Sequence, residues 1–354
     1  QTLLMDEKFL YLFTGGTFVP QYWTFSTGTI AVSGTTVTGT GTSWDTNNIQ
    51  AGDEIVLDAD GSGDGPTTAE IATVNSGTSL TLSASPTGTY SAGTDYTIRR
   101  AFKRNEQDLY DHTVIRATDK LLIADGNRPL WAWDGSNLGA NDASDTFVPL
   151  CVTMHADRVI VGTTTESGST FRQRYRWTDI TDPDNFDSSG DFPYNDLLYS
   201  GGYIRRIVPL GPIVIFYMSD RIWLGRKTSY VSNPWSVEQI DTDGKGLVGT
   251  KAVMPWQDGH VFVMEDDIYF MSANATYQPI GTPVVKETLR QCSEDYLWNI
   301  WVSTDPLNDR IVVGFPDANN SRMLKIWSFE YKSKAWSYDE LPSTFLAFDE
   351  LADV

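Results

Sequence analysis

The sequence predicts an all-β fold, an irregular β-propeller of about six blades, with seven also compatible with units this uneven, and a small β-barrel inserted in the first blade. Three observations carry this expectation. First, no sustained 3.6-residue apolar stripe marks an amphipathic helix, apart from a weak one around Glu287 to Leu297. Second, 29 Gly and 16 Pro punctuate the chain at short intervals. The runs between them are short and either alternate or are wholly apolar, as in Ile213-Val214-Ile215-Phe216 and Ile311-Val312-Val313. Third, apolar strands recur from Lys120, Arg158, Ile213, His260 and Arg310, at gaps of 38, 55, 47 and 50 residues. A propeller blade takes roughly 40 to 50 residues.

Most of these units share one grammar: an apolar strand, a tight acidic or polar turn, a second strand and an aromatic residue. Phe216-Tyr217-Met218-Ser219-Asp220-Arg221-Ile222-Trp223 and Val263-Met264-Glu265-Asp266-Asp267-Ile268-Tyr269-Phe270 both follow it. Antiparallel pairs with a turn at one rim and rings wedged between neighbouring sheets produce such spacing. An array of β-sandwiches is the competing architecture.

The barrel is marked by composition. Between Lys8 and Arg99 there is no Lys or Arg, while Asp45, Asp53, Glu54, Asp58, Asp60, Asp64, Glu70 and Asp95 are all acidic. Inside this stretch Ser33-Gly34-Thr35-Thr36-Val37-Thr38 is echoed by Ser76-Gly77-Thr78-Ser79-Leu80-Thr81, each a Gly-containing turn followed by an alternating strand. Residues 28–98 are therefore expected to form a small closed barrel, and residues 1–27 with 99–354 a propeller platform.

At 354 residues the chain exceeds what one core usually supports, which fits a large architecture with an accessory module. Aromatic residues make up 12%, favouring strands. A formal charge of −20 argues against wrapping a phosphate backbone, which requires Lys and Arg to displace counterions. Cys151 and Cys292 give neither a disulfide framework nor a metal cluster and read as buried thiols. No apolar run reaches the roughly 18 residues of a membrane helix, so no membrane insertion is expected. Because residue 1 is Gln and Phe9-Leu10-Tyr11-Leu12-Phe13 already reads as a strand, the expectation is a processed or trimmed chain starting close to structured sequence.

Sites of chemistry are thinly represented. His112, His155 and His260 are far apart and lack metal-ligand spacing, which leaves a zinc site or a Ser-His-Asp triad without support. Asp58, Asp60 and Asp64 imitate the start of a calcium loop, but Glu70 falls one place beyond the position of a bidentate Glu, so a solvated hairpin loop is the preferred reading. Glu265-Asp266-Asp267, or Asp241 with Asp243, could supply the paired carboxylates of a glycosidase, yet they sit in turns where solvated acids are expected. Trp131 and Trp133, Trp298 and Trp301, and Trp327 and Trp336 could stack on sugar rings, and strand positions of this kind more often fill a core. No cofactor and no enzymatic activity are expected.

One segment, Arg174-Tyr175-Arg176-Trp177-Thr178-Asp179-Ile180-Thr181-Asp182-Pro183-Asp184-Asn185-Phe186, resembles a phrase recurrent in propeller-type tail proteins of short-tailed bacteriophages. Arg176, Trp177, Asp179, Asp182, Pro183 and Phe186 carry the likeness: a strand ending in Trp, an Asp-Pro turn and a returning aromatic. Gly202-Tyr203-Ile204, Ser219-Asp220-Arg221-Ile222-Trp223 and Gly244-Lys245-Gly246-Leu247-Val248-Gly249 follow in the order that such proteins show. Val37-Thr38-Gly39-Thr40-Gly41-Thr42-Ser43-Trp44, leading to Gly52-Asp53-Glu54-Ile55, looks like a small barrel found across virion proteins.

The resemblance implies a tail nozzle or hub subunit of the virion, forming a homo-oligomeric, hexameric ring below the adaptor. Tail fibre or needle proteins would be further partners, and DNA would pass transiently through the channel. A glycan-binding propeller for host recognition and a propeller glycosidase are the alternatives.

Overall fold

A computed structural model describes the chain apart from residues 1–2, 7, 58–66, 103–109, 116–117, 141–146, 184, 187–192, 199–200, 231–232, 318–319 and 340–354. It is built almost wholly of antiparallel strands. A three-stranded sheet comes first, β1 (Leu3–Met5), β2 (Leu10–Thr14) and β3 (Thr17–Gln21). An eight-stranded sheet follows, of β4 (Trp23–Phe25), β5 (Thr29–Ser33), β6 (Thr36–Thr40), β7 (Glu54–Leu57), β8 (Thr67–Ser76), β9 (Ser79–Leu82), β10 (Tyr90–Thr94) and β11 (Tyr96–Arg100).

Five four-stranded sheets complete the chain. The first holds β12 (Asp111–Ile115), β13 (Lys120–Ala124), β14 (Trp131–Trp133) and β15 (Leu138–Ala140). The second holds β16 (Phe147–His155), β17 (Arg158–Glu166), β18 (Ser169–Trp177) and β19 (Tyr194–Asp196). The third holds β20 (Ile204–Leu210), β21 (Ile213–Met218), β22 (Ile222–Lys227) and β23 (Trp235–Ile240), and the fourth β24 (Val253–Trp256), β25 (Gly259–Val263), β26 (Ile268–Met271) and β27 (Tyr277–Pro279). The fifth holds β28 (Trp301–Asp305), β29 (Arg310–Asp317), β30 (Asn320–Glu330) and β31 (Ala335–Asp339). With the three-stranded sheet these are the six blades of a β-propeller. Backbone contacts divide the chain into two compact units, residues 1–103 with 131–141 and residues 104–130 with 142–354.

Within the second unit the first strands of successive sheets lie side by side: β12 against β16, β16 against β20, and β24 against β28. The five apolar starts that mark the repeat in the sequence all fall on the second strand of a sheet, β13, β17, β21, β25 and β29. That strand is covered on both faces, which is why it reads as continuous apolar sequence. All six residues of β21 and all five of β25 are buried.

Aromatic rings fill the seams. Tyr175 of β18 meets Phe216 of β21 at 4.8 Å, and Trp177 meets Trp235 of β23 edge-on at 5.8 Å. Tyr217 packs on Phe262 of β25 at 5.3 Å. Two histidines tie the same seams. His155 Nδ1 accepts a hydrogen bond from Trp235 Nε1 (3.1 Å). His260 Nε2–H donates to Pro209 O (2.8 Å), leaving Nδ1 to accept from the Tyr217 hydroxyl (2.9 Å). Polar links also join the first strands. The Asp111 carboxylate accepts from Val152 N (3.1 Å) and lies 3.6 Å from Arg206 Nε, while Arg206 Nη1 donates to Val253 O (2.7 Å). Lys251 Nζ donates to Tyr110 O, and burial, reinforced by Arg206, pushes this amine down to about 8 against the opposing pull of Asp111.

In the first unit the eight-stranded sheet curls round a single core, to which Ile30, Val37, Ile55, Ile71, Leu80, Tyr90 and Ile98 contribute from seven strands. Its pairing reaches slightly beyond residues 28–98 at both ends. The two echoing phrases form the hairpins β5–β6 and β8–β9, which meet through β6 and β9. Val37 pairs with Leu80, the same position of each phrase, flanked by Thr36 with Thr81 and Thr38 with Ser79. The pairing of the two inner strands is thus symmetric about the Val37–Leu80 pair, while β8–β9 carries register shifts that β5–β6 lacks. Trp44 is fully buried beneath them, its Nε1 donating to the Tyr96 hydroxyl (3.0 Å), which donates to Thr27 O (2.6 Å). Asp53 is also fully buried and accepts from Gln50 N (2.9 Å) and Ala101 N (3.0 Å).

The helical segment differs from the expected stripe over Glu287 to Leu297. An α-helix, α1, spans Pro283–Gln291, and a separate 3₁₀ turn spans Glu294–Asn299. Cys292 and Ser293 between them both take ψ 138, extended backbone that no helix can continue through. Pro283 starts α1 earlier than the stripe indicated, because its fixed φ suits the first helical turn.

Two outcomes follow for stability. Trp177→Ala removes a ring buried between two sheets and should cost about 3–5 kcal/mol in urea unfolding. Burial pushes His260 down to about 4 from an ordinary 6.5, although its bond to Pro209 opposes this. The imidazole is therefore neutral when folded and protonates more readily when unfolded. Its stabilising effect is complete above about pH 6.5 and is lost as pH falls toward about 4. Unfolding free energy should drop by about 2 kcal/mol between about pH 7 and 5, and His260→Gln should flatten that slope.

Candidate functional site

Three of the phrases singled out in the sequence meet where the third and fourth four-stranded sheets adjoin. Tyr203 precedes β20, Ser219 and Asp220 form the β21–β22 turn, and residues 246–249 lie on the connection from β23 to β24. Backbone groups bind them together. Ser219 N donates to Tyr203 O (3.0 Å), and Tyr203 N donates to Ser219 Oγ (3.1 Å). Asp220 Oδ2 accepts from Gly201 N (3.2 Å) and Gly202 N (3.1 Å). Leu247 N donates to Met218 O (2.8 Å), and Val248 N to Val263 O (3.2 Å) on the next sheet.

Glycine is required here by proximity. A Cβ on Gly246 would stand 2.3 Å from Met218 O and 2.4 Å from Asp220 N, and one on Gly249 2.4 Å from Trp298 O. These neighbours are backbone atoms that cannot swing aside.

Beside this junction opens a cavity of about 620 Å³, within the size range of small-ligand sites. Leu247, Val248, Leu289 and Leu297 give it an apolar part, the last turn of α1 brings Arg290, and the 3₁₀ turn brings Glu294, Asp295 and Trp298. Glu265 enters from the β25–β26 turn, and Glu265, Arg290, Glu294 and Asp295 are exposed. Arg205 lies over the Tyr203 ring at 5.0 Å and donates through Nη1 to Val248 O. Its Nε is buried without a hydrogen-bond partner. The Trp298 Nε1–H is taken up by Asp295 O (2.7 Å) within its own turn.

The family-like motif lies elsewhere, on β18 and the loop after it, and its residues are engaged in structure. Arg176 grips Glu166 at 2.6–2.8 Å, Arg174 joins the same carboxylate (3.1 Å) and Asp196 (2.9 Å), and the Arg174 guanidinium stacks on Phe171 and Tyr194, each at 3.8 Å. Burial works to raise the Glu166 carboxyl, but hydrogen bonds from Arg176 and Thr164 and the charges of both arginines hold it below the usual value. Trp177 ends β18 and is buried. Asp179 accepts from Thr181 N and its hydroxyl, both at 2.9 Å, and those bonds lower its carboxyl. Asp182 and Pro183 make the turn, in which Asn185 N donates to Asp182 O (3.2 Å), and Phe186 returns to the core edge-on to Phe147 (5.2 Å).

Asp58, Asp60 and Asp64 lie outside the described residues. Among the described residues no group of three or more His, Cys, Asp or Glu could hold a metal ion. Of the carboxylates considered for glycoside cleavage, Asp266 is held by Lys245 (2.7 Å) and the Tyr269 hydroxyl (3.1 Å), and Asp267 by Lys286 (2.6 Å). Asp241 accepts from Asp243 N (3.1 Å). His112 is pushed down by burial, as His155 is against a bond to the Gly211 backbone. Cys151 and Cys292 are buried, their Sγ atoms donating to Gly162 O (3.7 Å) and to Thr288 O and Pro316 O (both 3.4 Å) respectively. Trp131, Trp133, Trp301 and Trp327 are buried, and Trp336 donates to Ile280 O (2.9 Å). Trp298, in the 3₁₀ turn and only partly buried, is among the residues that line the cavity.

No family model matches the chain, and no curated protein does. Among solved structures it is similar to BamB from Moraxella catarrhalis, with 12% identity and a TM-score of 0.35 over 64% of this chain and 60% of that one. It is also similar to the extracellular domain assigned to the one-component system BT4673 of B. thetaiotaomicron, with 12% identity and a TM-score of 0.40 over 68% of this chain and 29% of that one. The chain therefore spans less than two thirds of either protein.

Gly246→Ala should destabilise the protein by more than about 2 kcal/mol in urea unfolding, since backbone must shift to admit the methyl. Gly201→Ala, where no atom stands within 4 Å of the added carbon, should change stability by less than about 0.5 kcal/mol.

Proposed function

We propose that the protein is a structural subunit of a short-tailed phage tail, a nozzle or hub component that assembles with copies of itself into a ring around the DNA ejection channel, below the adaptor. The observation that carries this reading is the junction at Gly202, Ser219–Asp220 and Gly246–Gly249. Phrases that resemble tail propeller proteins, separated in sequence, are used together as one backbone-bonded joint. The Arg176–Phe186 phrase is likewise spent on packing and ion pairing. A net charge of −20 suits a surface past which a polyanion must slide without sticking. The adaptor, tail fibre or needle proteins are the partners this role implies, and no catalytic step belongs to it.

Mass photometry of the purified chain, alone and mixed with an adaptor ring, tests the reading. A discrete closed multiple of the subunit mass, seen as rings in negative stain, is the expected result. A monomer at every concentration that also ignores the adaptor would overturn it.

A further inference from the structure

We infer that the first strands of the second unit hold a binding site for a small tetrahedral oxyanion of the sulfate or phosphate class, built by Arg206, Lys251 and His112. This goes beyond the tail-subunit reading and does not depend on it. The three side chains are gathered at residues 110–112, where β12 begins. Lys251, just before β24, donates through Nζ to Tyr110 O. Arg206 of β20 lies 3.6 Å through Nε from Asp111 Oδ1, and its Nη1 donates to Val253 O (2.7 Å) and to Thr250 O (3.5 Å), the neighbour of Lys251. His112 follows Asp111 directly in β12.

The charges gathered there do not balance. Asp111 is the carboxylate that acts on both Lys251 and His112, and it is already committed. It accepts from His112 N (3.0 Å) and Val152 N (3.1 Å), and only 6% of its side chain is exposed. Against this one negative charge stand the Arg206 guanidinium and the Lys251 ammonium, which leaves a positive charge over. A surplus charge that is partly withdrawn from water calls for a counter-charge.

The donors remaining can be reached. Arg206 keeps 16% of its side chain exposed, Lys251 is half-buried and His112 is exposed. Among the described residues Arg206 Nη2 has no acceptor, and Lys251 gives the protein one bond from an ammonium that carries three protons. These groups are also enclosed. Burial lowers the His112 imidazole, helped by Lys251 and Arg206 against the pull of Asp111, although its surface is open to solvent. A side chain both accessible and enclosed lines a recess. A tetrahedral oxyanion brings to it the missing negative charge and several oxygens for donors arriving from different strands. A cation would be repelled by the surplus, and a neutral ligand would leave it unanswered.

The test is a calorimetric titration of the full chain with sodium sulfate near neutral pH, with ionic strength held constant by sodium chloride so that screening does not change. Saturable binding is expected. Lys251→Gln, which keeps a donor for Tyr110 O, should weaken it by about tenfold, as for loss of one charge-assisted hydrogen bond. Arg226→Gln, an exposed residue of β22 paired with Glu238, should leave it unchanged. Sulfate keeps its charge across this range, so affinity of the wild type should fall as pH rises through about 8, where Lys251 loses its proton, and this fall should vanish in Lys251→Gln. The pH series on the wild type stands whether or not the variant folds. Four results would overturn the inference: no saturable heat at millimolar sulfate, equal affinity in the wild type and Lys251→Gln, wild-type affinity that is the same on both sides of that pH, or acetate binding as tightly as sulfate. Ring assembly in mass photometry is read separately, so a chain that forms rings and ignores sulfate sinks this inference alone.

Discussion

A four-stranded antiparallel meander has two broad faces and nothing of its own with which to cover them, so its stability lies in the seams with its neighbours. In this chain those seams are made of rings. Tyr175, Trp177, Phe216 and Trp235 belong to two sheets and one cluster, and Tyr217 with Phe262 continues the arrangement into the next. Two of the seams also carry a polar bond from one sheet to the next. His155 answers the indole of Trp235, and His260 lies between Tyr217 and Pro209. A polar bridge in a dry seam is directional in a way ring packing is not, and it fixes how one sheet is set against the next.

The junction at Gly246 and Gly249 is the same constraint expressed in backbone. Sheets that must lie close need a connection that passes through a space only a hydrogen atom can share, and the connecting segment then donates to both: Leu247 N to Met218 O, Val248 N to Val263 O. The cavity opens beside this connection, and α1 and the 3₁₀ turn contribute Arg290, Asp295 and Trp298 to a lining that also holds Arg205.

Much of the fold was legible in the sequence, because a buried second strand leaves an unbroken apolar run and Lys120, Arg158, Ile213, His260 and Arg310 each announce one. The echo at residues 33–38 and 76–81 was legible for a similar reason, since its Gly-containing turns and alternating strands are local properties. The cavity was not. Trp298 reads like any other core tryptophan, and its placement depends on Cys292 and Ser293 being extended and breaking one helical stripe into two short pieces. Neither residue is a strong helix breaker, so no local rule reports the break. The orphaned Nε of Arg205 is likewise a consequence of tertiary packing alone.

The Val37–Leu80 register has a meaning of its own. Two hairpins of similar sequence meet in the eight-stranded sheet through equivalent positions of their inner strands, as equivalent surfaces meet in an isologous dimer. The module can be regarded as a tethered dimer of hairpins, with the intervening chain as the tether. Without its counterpart either hairpin would leave the inner edge of its sheet unpaired, and an unpaired edge is a template on which another strand can add.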